Sequence, residues 1–490
     1  MLNNKGKWVH FIGICGVTMA PLANVYKLKG YTVTGSDKGI FPPMSDYLKR
    51  RKINIELGFK KEHLDKNYYL RKGINLESKY PDIVIVGNRV WLSNIEYKYA
   101  CENNLKIKSF PEILEEQVVK SNSIVVAGTY GKTTSTAILA YIFEKSGKKP
   151  SFMIGGLAKN FKDGIRITNT DWSIIEGDEY ISSRFDPESK FFHYKARFVL
   201  LTSCAWEHTD YFKTEESYIS NFKKLIGSLP NDGLLVANLN GPNVDEVIKY
   251  ARCKVITYEL NLFDDKLPKA DWFNLPHKES NERDKIVIFN KNTREEITLK
   301  TLLIGDHNKE NIIGCTVLAR ELGIKSIYIE EAVRRFKGIK RRLEIILDKE
   351  NLKIIDDHAC SPFKVRGSLK ALRNKYENWY ITIIFEPNIG NMTKKSLKLF
   401  DNVFNGANEI IIPRIKLLKS IKGEKLVNGN ELSSYLSSIG VNSRYIDNDS
   451  KLVKYIVDQE VGKRVICFMG AYSFREMQKD FIRLFECKLN

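Results

Sequence analysis

Gly128-Thr129-Tyr130-Gly131-Lys132-Thr133-Thr134 have the types and spacing that hold a polyphosphate. Glycines let backbone N–H groups approach phosphate oxygens, the lysine adds a mobile positive charge, and a hydroxyl beside it can ligate Mg²⁺. The strict phosphate-loop pattern needs glycine where Val126 stands, so this is the shorter G-T-x-G-K-T-T form. A chance glycine turn is the plain alternative. Downstream, Ser173-Ile174-Ile175-Glu176-Gly177-Asp178-Glu179 is an apolar run ending in carboxylates. Such carboxylates are hard oxygen ligands for Mg²⁺; a polar turn is the alternative. His208 follows a further apolar run at 198–201, and alone it reads more readily as a structural hydrogen-bonding group than as a ligand.

These residues need elements to position them. Ile124, Val125 and Val126 predict a buried strand before the loop, and Ile138, Leu139, Ile142 and Phe143 recur at helical spacing after it. That strand–loop–helix order puts the loop amides at a helix N-terminus, where anions bind. A second glycine turn, Gly13-Ile14-Cys15-Gly16, lies between a predicted strand at 8–14 and a helix running to about Lys29. Its G-x-x-G spacing lacks the dinucleotide fingerprint, yet a diphosphate can sit there. Asp37, after Ser36 at the end of the next strand, can accept ribose hydroxyls or simply form a turn. A strand at 83–87 ends at Asn88. Residues 262–294 alternate weakly, as in small antiparallel strands. Asp306-His307-Asn308-Lys309-Glu310-Asn311 precede an apolar helix predicted over 312–322, with Asn308 readable as a plain N-cap. Strands at 352–355, 379–385, 409–412 and 464–469, with helical stretches between, give another α/β series with Asp356, Asp357 and Glu386 at strand ends.

With 490 residues, the chain has room for about three domains. Hydrophobic content of 43% marks it as globular. No apolar run reaches the ~18 residues of a membrane span, and the N-terminus lacks a signal-peptide pattern, so a cytoplasmic location is expected. The net charge of +19 is scattered, with no long basic tract and no nucleic-acid module. An anionic small-molecule substrate accounts for it as well as nucleic acid would. None of the eight cysteines forms a C-x-x-C pair.

Taken in order, G-T-Y-G-K-T-T at 128–134, E-G-D-E at 176–179, His208, H-N-x-x-N at 307–311, R-R-L-E at 341–344 and Asp356-Asp357 resemble the Mur ligase superfamily over essentially the whole chain. H-F-I-G-I-C-G at 10–16, G-S-D-K-G-I-F-P-P-M-S at 35–45, V-G-N at 86–88, F-M-I-G-G at 152–156 and D-P-E-S-K-F-F-H-Y at 186–194 are most similar to its peptidoglycan-recycling branch. The resemblance implies an α/β chain of three domains: a Rossmann-like UDP-sugar domain (1–115), a central phosphate-loop ATPase-like domain on a parallel sheet (116–335) and a Rossmann-like peptide or amino-acid domain (336–490). It implies an ATP- and Mg²⁺-dependent ligase that joins L-alanyl-γ-D-glutamyl-meso-diaminopimelate to UDP-N-acetylmuramate through an acyl phosphate. Lys132, Glu176 and His208 would be catalytic, with metal on Thr133, Glu176 and His208. Gly128, Thr129, Gly131, Lys132, Thr133, Thr134, His307, Asn308, Asn311, Arg342 and Asp356 would hold ATP. Gly13, Cys15, Gly16, Ser36, Asp37 and Asn88 would hold the UDP-sugar. Small-molecule partners, no nucleic acid, no membrane, and a monomer or weak homo-oligomer are expected.

The chain departs from the family pattern at Tyr130, where the loop usually carries His, and at Thr202, Ser203 and Ala205, where an Asn and a Glu are usual. It departs again at His358-Ala359-Cys360-Ser361-Pro362, in place of a His-His-Pro motif, and at Asn388, in place of an arginine. The glycine-rich segment near the C-terminus becomes Gly470-Ala471-Tyr472-Ser473-Phe474. These changes motivate three alternatives: an alanine-adding ligase, the same chemistry on another amine, and a catalytically impaired homologue that binds nucleotide-sugar.

Overall fold

The computed structural model describes residues 4–208, 211–262, 268–276, 284–388, 392–415, 426–460, 462–471 and 474–489. Thr209-Asp210, Tyr472-Ser473 and parts of 262–294 from the sequence reading lie outside them. The chain divides into two compact units, Met1–Leu302 with Asn308–Lys337, and Leu303–His307 with Gly338–Asn490.

The first unit holds two sheets. One is five-stranded and wholly parallel, in the order Asn54–Leu57, Thr32–Asp37, Trp8–Ile12, Ile83–Val86, Ile107–Ser109. The other is ten-stranded. Its central strands Leu234–Asn238, Phe198–Leu201, Asn122–Ala127 and Trp172–Gly177 run parallel. Their short, almost unbroken apolar runs suit strands covered on both faces. Trp272–Leu275 and Lys285–Asn290 extend one edge as strands within 262–294, where weak alternation predicted antiparallel pairing, and Glu296–Lys300, beyond that range, adds a third. One core joins helix Met19–Leu28 and strand Trp8–Ile12 to the central sheet and helix Glu215–Gly227. Asp163 accepts hydrogen bonds from both Tyr47 and Arg51, tying the helix Met44–Arg50 region to the loop before Ile165–Arg166.

The second unit is a six-stranded sheet, ordered Glu344–Lys349, Leu352–Asp357, Arg464–Gly470, Tyr380–Glu386, Glu409–Pro413, Ser443–Ile446. All but its first strand run parallel. Apolar clusters cover both faces, one packed by helices Pro362–Lys375 and Gly429–Ser438 and the other by Asp449–Asp458 and Met477–Leu489.

The helix predicted over 312–322 begins six residues earlier, as Asp306–Glu321. Asn308 is therefore inside the helix rather than its N-cap. Asn308 and Asn311 lie three residues apart, share one helix face and are both buried. A buried polar face at a helix start reads as a loop in a hydrophobicity pattern. Among the described residues, no helix is long and apolar enough to cross a membrane.

Phe222 is fully buried among Tyr218, Phe191 and the central strands. Phe222→Ala is expected to destabilise the first unit by about 3–5 kcal/mol, read as a lower urea midpoint. An unchanged midpoint would mean the site is not packed as described.

Candidate active site

The phosphate loop sits where three neighbouring parallel strands end together. Ala127 is in register with Gly177 on one side and Leu201 on the other. The loop, the E-G-D-E carboxylates and residues 202–208 therefore leave the sheet side by side, at the strand ends where α/β proteins bind ligands. Gly131 caps helix Lys132–Lys145 with φ +79°, and a Cβ there would lie 2.3 Å from Asn311 Oδ1. Gly128 has φ +133°, and a Cβ there would lie 2.2 Å from Thr202 Oγ1. Backbone conformation and crowding both demand glycine at these two positions.

Thr202 and Ser203 brace the loop. Ser203 O accepts from Thr129 N at 3.1 Å and Ser203 Oγ from Tyr130 N at 3.1 Å, while Thr202 Oγ1 donates to Tyr130 O. The residues that depart from the family pattern before His208 thus hold the backbone that would face phosphate. Asn311 reaches the loop from its own helix, with Oδ1 accepting from Ser135 Oγ at 3.2 Å. Asn311 Nδ2 meets Asn308 Oδ1 at 3.5 Å. His307 is exposed.

Lys132 Nζ donates to Glu179 Oε2 at 2.7 Å and to Gly128 O. Glu179 is fully buried and is the hub of the site. Its Oε1 accepts from Tyr218 OH at 3.0 Å and lies 3.4 Å from His208 Nε2. Tyr218 OH meets Thr129 Oγ1 at 2.9 Å, closing a ring back to the loop. Burial penalises both charges of the Lys132–Glu179 pair, but their attraction wins. The lysine pKa is held up, with Asp178 helping, and the glutamate pKa is held down. Burial works to lower His208, yet Glu179 raises it above the ordinary histidine value. His208 sits at φ +57°, left-handed backbone for a non-glycine residue, a strained conformation common at working sites.

Thr133 Oγ1 donates to Glu176 Oε1 at 2.8 Å, and Gly155 N to Glu176 Oε2 at 2.7 Å. The structure thus brings Thr133 and Glu176 together, and separately gathers ligand atoms of Asp178, Glu179 and His208 within 4.8 Å of one another. Carboxylate oxygens and a threonine hydroxyl suit a hard divalent cation such as Mg²⁺, while the imidazole is a softer ligand. Asp178 and Glu179 were visible as part of the carboxylate run but not separable from Glu176. Tyr218 carried no sequence signal.

The other candidates lie elsewhere. Gly13 takes φ +85°, and the amides of Gly13 and Ile14 both donate to Ser36 O. Cys15 N donates to Asp37 Oδ2 at 2.9 Å and Gly39 N to Asp37 Oδ1 at 3.2 Å, so Asp37 holds the turn. Ser36 is fully buried, its hydroxyl donating to Glu96. Gly16 N reaches back to Gly13 O, so helix Met19–Leu28 starts after the turn rather than at it. Asn88 is half-buried, next to Gly87, whose amide donates to Ile12 O. In the second unit Asp356 pairs with Arg341 at 3.4 Å, and Arg342 is exposed.

A glycine loop at a helix start, with a largely buried lysine, a hydroxyl and carboxylates around it, defines a nucleotide-phosphate-binding enzyme of the phosphate-loop α/β class. The family profile "Mur ligase family, catalytic domain" matches residues 8–120, and "Mur ligase middle domain" matches 126–319. The chain is 30% identical over 388 residues to the UDP-N-acetylmuramate–L-alanyl-gamma-D-glutamyl-meso-2,6-diaminoheptandioate ligase of Haemophilus influenzae, covering 79% of this chain and 81% of that protein. It is 28% identical over 485 residues to the UDP-N-acetylmuramate–L-alanine ligase of Clostridium botulinum, covering 99% of both. The crystal structure of the UDP-N-acetylmuramate-alanine ligase of Thermotoga maritima superposes with a TM-score of 0.76 at 22% identity, covering 98% of this chain and 99% of that one. The chain belongs to the Mur ligase family and is an ATP-dependent ligase that forms amide bonds.

Glu179→Gln is expected to return the His208 pKa toward the ordinary histidine value of about 6.5, read by NMR titration of the imidazole. Because His208 titrates higher in the folded state, its charge supports the fold below its unfolded pKa, and that support is lost as pH rises through the folded one. Glu179 has the opposite sign: its support is lost as pH falls through its depressed folded pKa. An unmoved His208 titration in the variant would disprove the coupling.

Proposed function

We propose that this chain joins the peptide L-alanyl-γ-D-glutamyl-meso-diaminopimelate to UDP-N-acetylmuramate, with ATP activating the carboxylate as an acyl phosphate. The observation that carries the reading is Lys132, positioned at the phosphate loop by Glu179 and Gly128 O. The name and 30% identity of the Haemophilus influenzae relative support the acceptor. On this reading three domains (1–115, 116–335, 336–490) separate donor, nucleotide and acceptor binding, in a cytoplasmic setting.

A carboxylate is a poor acylating agent, and phosphorylation supplies a leaving group. Lys132 Nζ would exchange its Gly128 carbonyl contact for β- and γ-phosphate oxygens, and the loop amides would take up charge developing on the transferred phosphoryl group. Glu179 would keep the lysine oriented and protonated. Thr133, Glu176, Asp178, Glu179 and His208 offer the ligands for Mg²⁺, which supplies charge neutralisation of the phosphates when bound. Asn308 and Asn311 would contact the adenine side. Gly13, Cys15 and Gly16 would line the UDP diphosphate site, their amides already bonded within the turn to Ser36 O, Asp37 and Gly13 O, with Ser36, Asp37 and Asn88 shaping that turn. The amine of the acceptor then attacks the acyl carbon, and phosphate leaves.

L-alanine alone as acceptor is the second reading, favoured by the end-to-end match with the Clostridium botulinum relative. One assay separates them. With ATP, Mg²⁺ and UDP-N-acetylmuramate, phosphate release should require the tripeptide and not respond to L-alanine. Lys132→Ala should cut release by at least about 100-fold, the scale of losing a transition-state charge contact. Release with L-alanine alone would reverse the acceptor assignment. Release without donor, or full activity in the lysine variant, would overturn the ligase reading.

A further inference from the structure

The segment between strands Ser151–Met153 and Ile165–Arg166 belongs to neither the phosphate loop nor the donor turns, yet it reaches the surroundings of both. The two strands pair antiparallel, Phe152 with Arg166 and Met153 with Ile165. Ile154 N donates to Gly164 O at 2.8 Å, so the base of the segment is closed and its two ends lie side by side. At one end Gly155 N donates to Glu176 Oε2, while the other oxygen of Glu176 accepts from the Thr133 hydroxyl. A Cβ on Gly155 would lie 2.7 Å from both Glu176 carboxylate oxygens, so this contact needs glycine. At the other end Asp163 Oδ1 accepts from both Tyr47 OH and Arg51 Nη2. The Arg51 guanidinium also stacks on the Tyr47 ring, its carbon 3.6 Å from the ring centre. Tyr47 is buried, so its bond to Asp163 is shielded from water, while the Arg51 pair is partly exposed and screened.

Those two partners sit where the donor turns lead. Helix Met44–Arg50 carries Tyr47 and runs on to Arg51, and it follows the turn that Asp37 holds. Helix Met19–Leu28 follows the Gly13–Gly16 turn, and its Pro21 backs onto Gly164, where a Cβ would lie 3.6 Å from the Pro21 ring and 3.1 Å from Ile154 O. The tip of the segment is pinned as well. Asn160 Nδ2 donates to Arg335 O at 3.0 Å, and its Oδ1 accepts from Lys337 N at 2.8 Å. Phe161 packs edge-on against Tyr141 of the phosphate-loop helix. A short paired hairpin fixed at base and tip transmits position with little slack. The helices behind the donor turns are thereby connected, through Asp163, to the carboxylate beside Thr133.

We propose that Asp163 is a positioning residue for phosphoryl transfer, holding the donor-turn helices in place relative to Thr133 and Glu176 through this hairpin. The role rests on the ligase reading above and goes beyond it, to a residue that acts through Tyr47 and Arg51 rather than on a ligand. In the step concerned, a carboxylate oxygen of the donor forms a bond to the γ-phosphorus. The bond from that phosphorus to its bridging oxygen breaks, and the electron pair leaves with ADP. The displacement needs the reacting atoms in line and about 3–3.5 Å apart, and a misplacement of about 1 Å costs on the order of 100-fold. Each ligand keeps its own contacts when Asp163 is lost, so binding is spared and alignment is not.

Steady-state kinetics of the whole chain test it. Asp163→Ala should lower kcat at least about tenfold, with KM for ATP and for UDP-N-acetylmuramate each within about twofold of wild type. Asp163→Asn keeps an oxygen where Oδ1 stands and should recover most of the rate, a rescue that a general folding defect would not show. Hydrogen exchange gives a readout without turnover. In wild type the magnesium complex of β,γ-imido-ATP should slow amide exchange in Met44–Arg50, and Asp163→Ala should abolish that response while calorimetry shows the analogue still bound. Wild-type kcat in Asp163→Ala, or a raised donor KM at unchanged kcat, would overturn the role. So would a wild-type helix Met44–Arg50 whose exchange ignores the nucleotide, a comparison that needs no variant to fold. If wild type binds both substrates but releases no phosphate, the ligase reading fails, and the exchange comparison still decides whether Asp163 fixes the helix.

Discussion

The active site depends on one ion pair taken largely out of water. Glu179 is fully buried and the Lys132 side chain is 13% exposed, so each charge needs the other as its partner. Each supplies the other's partner, and the remaining oxygen of Glu179 is shared by Tyr218 and His208. Thr129 then links Tyr218 to the loop that carries the lysine. The loop, the carboxylate strand and the histidine strand are therefore coupled through one carboxylate. Replacing it would take from the lysine its one direct carboxylate partner and leave Asp178 and Glu176 to act from further off, which is why this glutamate matters more than its place in an acidic run suggests.

The surrounding fold serves that pairing. Parallel register makes three strands end level, so groups more than 40 residues apart in the chain meet without long loops. Two glycines let Thr202 and Asn311 approach the loop backbone closely. Substituting Thr202 and Ser203 into a position that resembles an Asn-containing motif does not leave the loop unsupported, because short hydroxyl side chains reach its amides and carbonyls.

Much of this was legible in the residues themselves. Short β-branched runs bounded by glycine or acidic turns marked the central strands, since a strand covered on both faces has little choice but to be apolar. The G-T-Y-G-K-T-T stretch announced its chemistry because it needs only local geometry: a strand before it, a helix after it and glycines between. The order of motifs along the chain pointed to the family. What misled the reading was local polarity. Asp306 to Glu310 looked like the entry to a helix starting at 311 or 312, but Asn308 is already within it, and with Asn311 it occupies one buried helix face.

The sequence alone determined that a lysine, a hydroxyl and several carboxylates would serve a phosphate loop on an α/β scaffold. Those facts follow from composition and short-range spacing. Only the tertiary structure decided which carboxylate meets the lysine. Glu176 turns to Thr133 and Gly155, while Glu179, three residues on, turns inward to Lys132, His208 and Tyr218. The choice depends on strand register and on a tyrosine from a distant helix, and neither is encoded within the motif. The same holds for Asp37, whose two oxygens are taken by the turn amides of Cys15 and Gly39. A carboxylate's partner is fixed by which donors the fold brings within about 3 Å, the reach of a hydrogen bond, and no pattern along the chain states that distance.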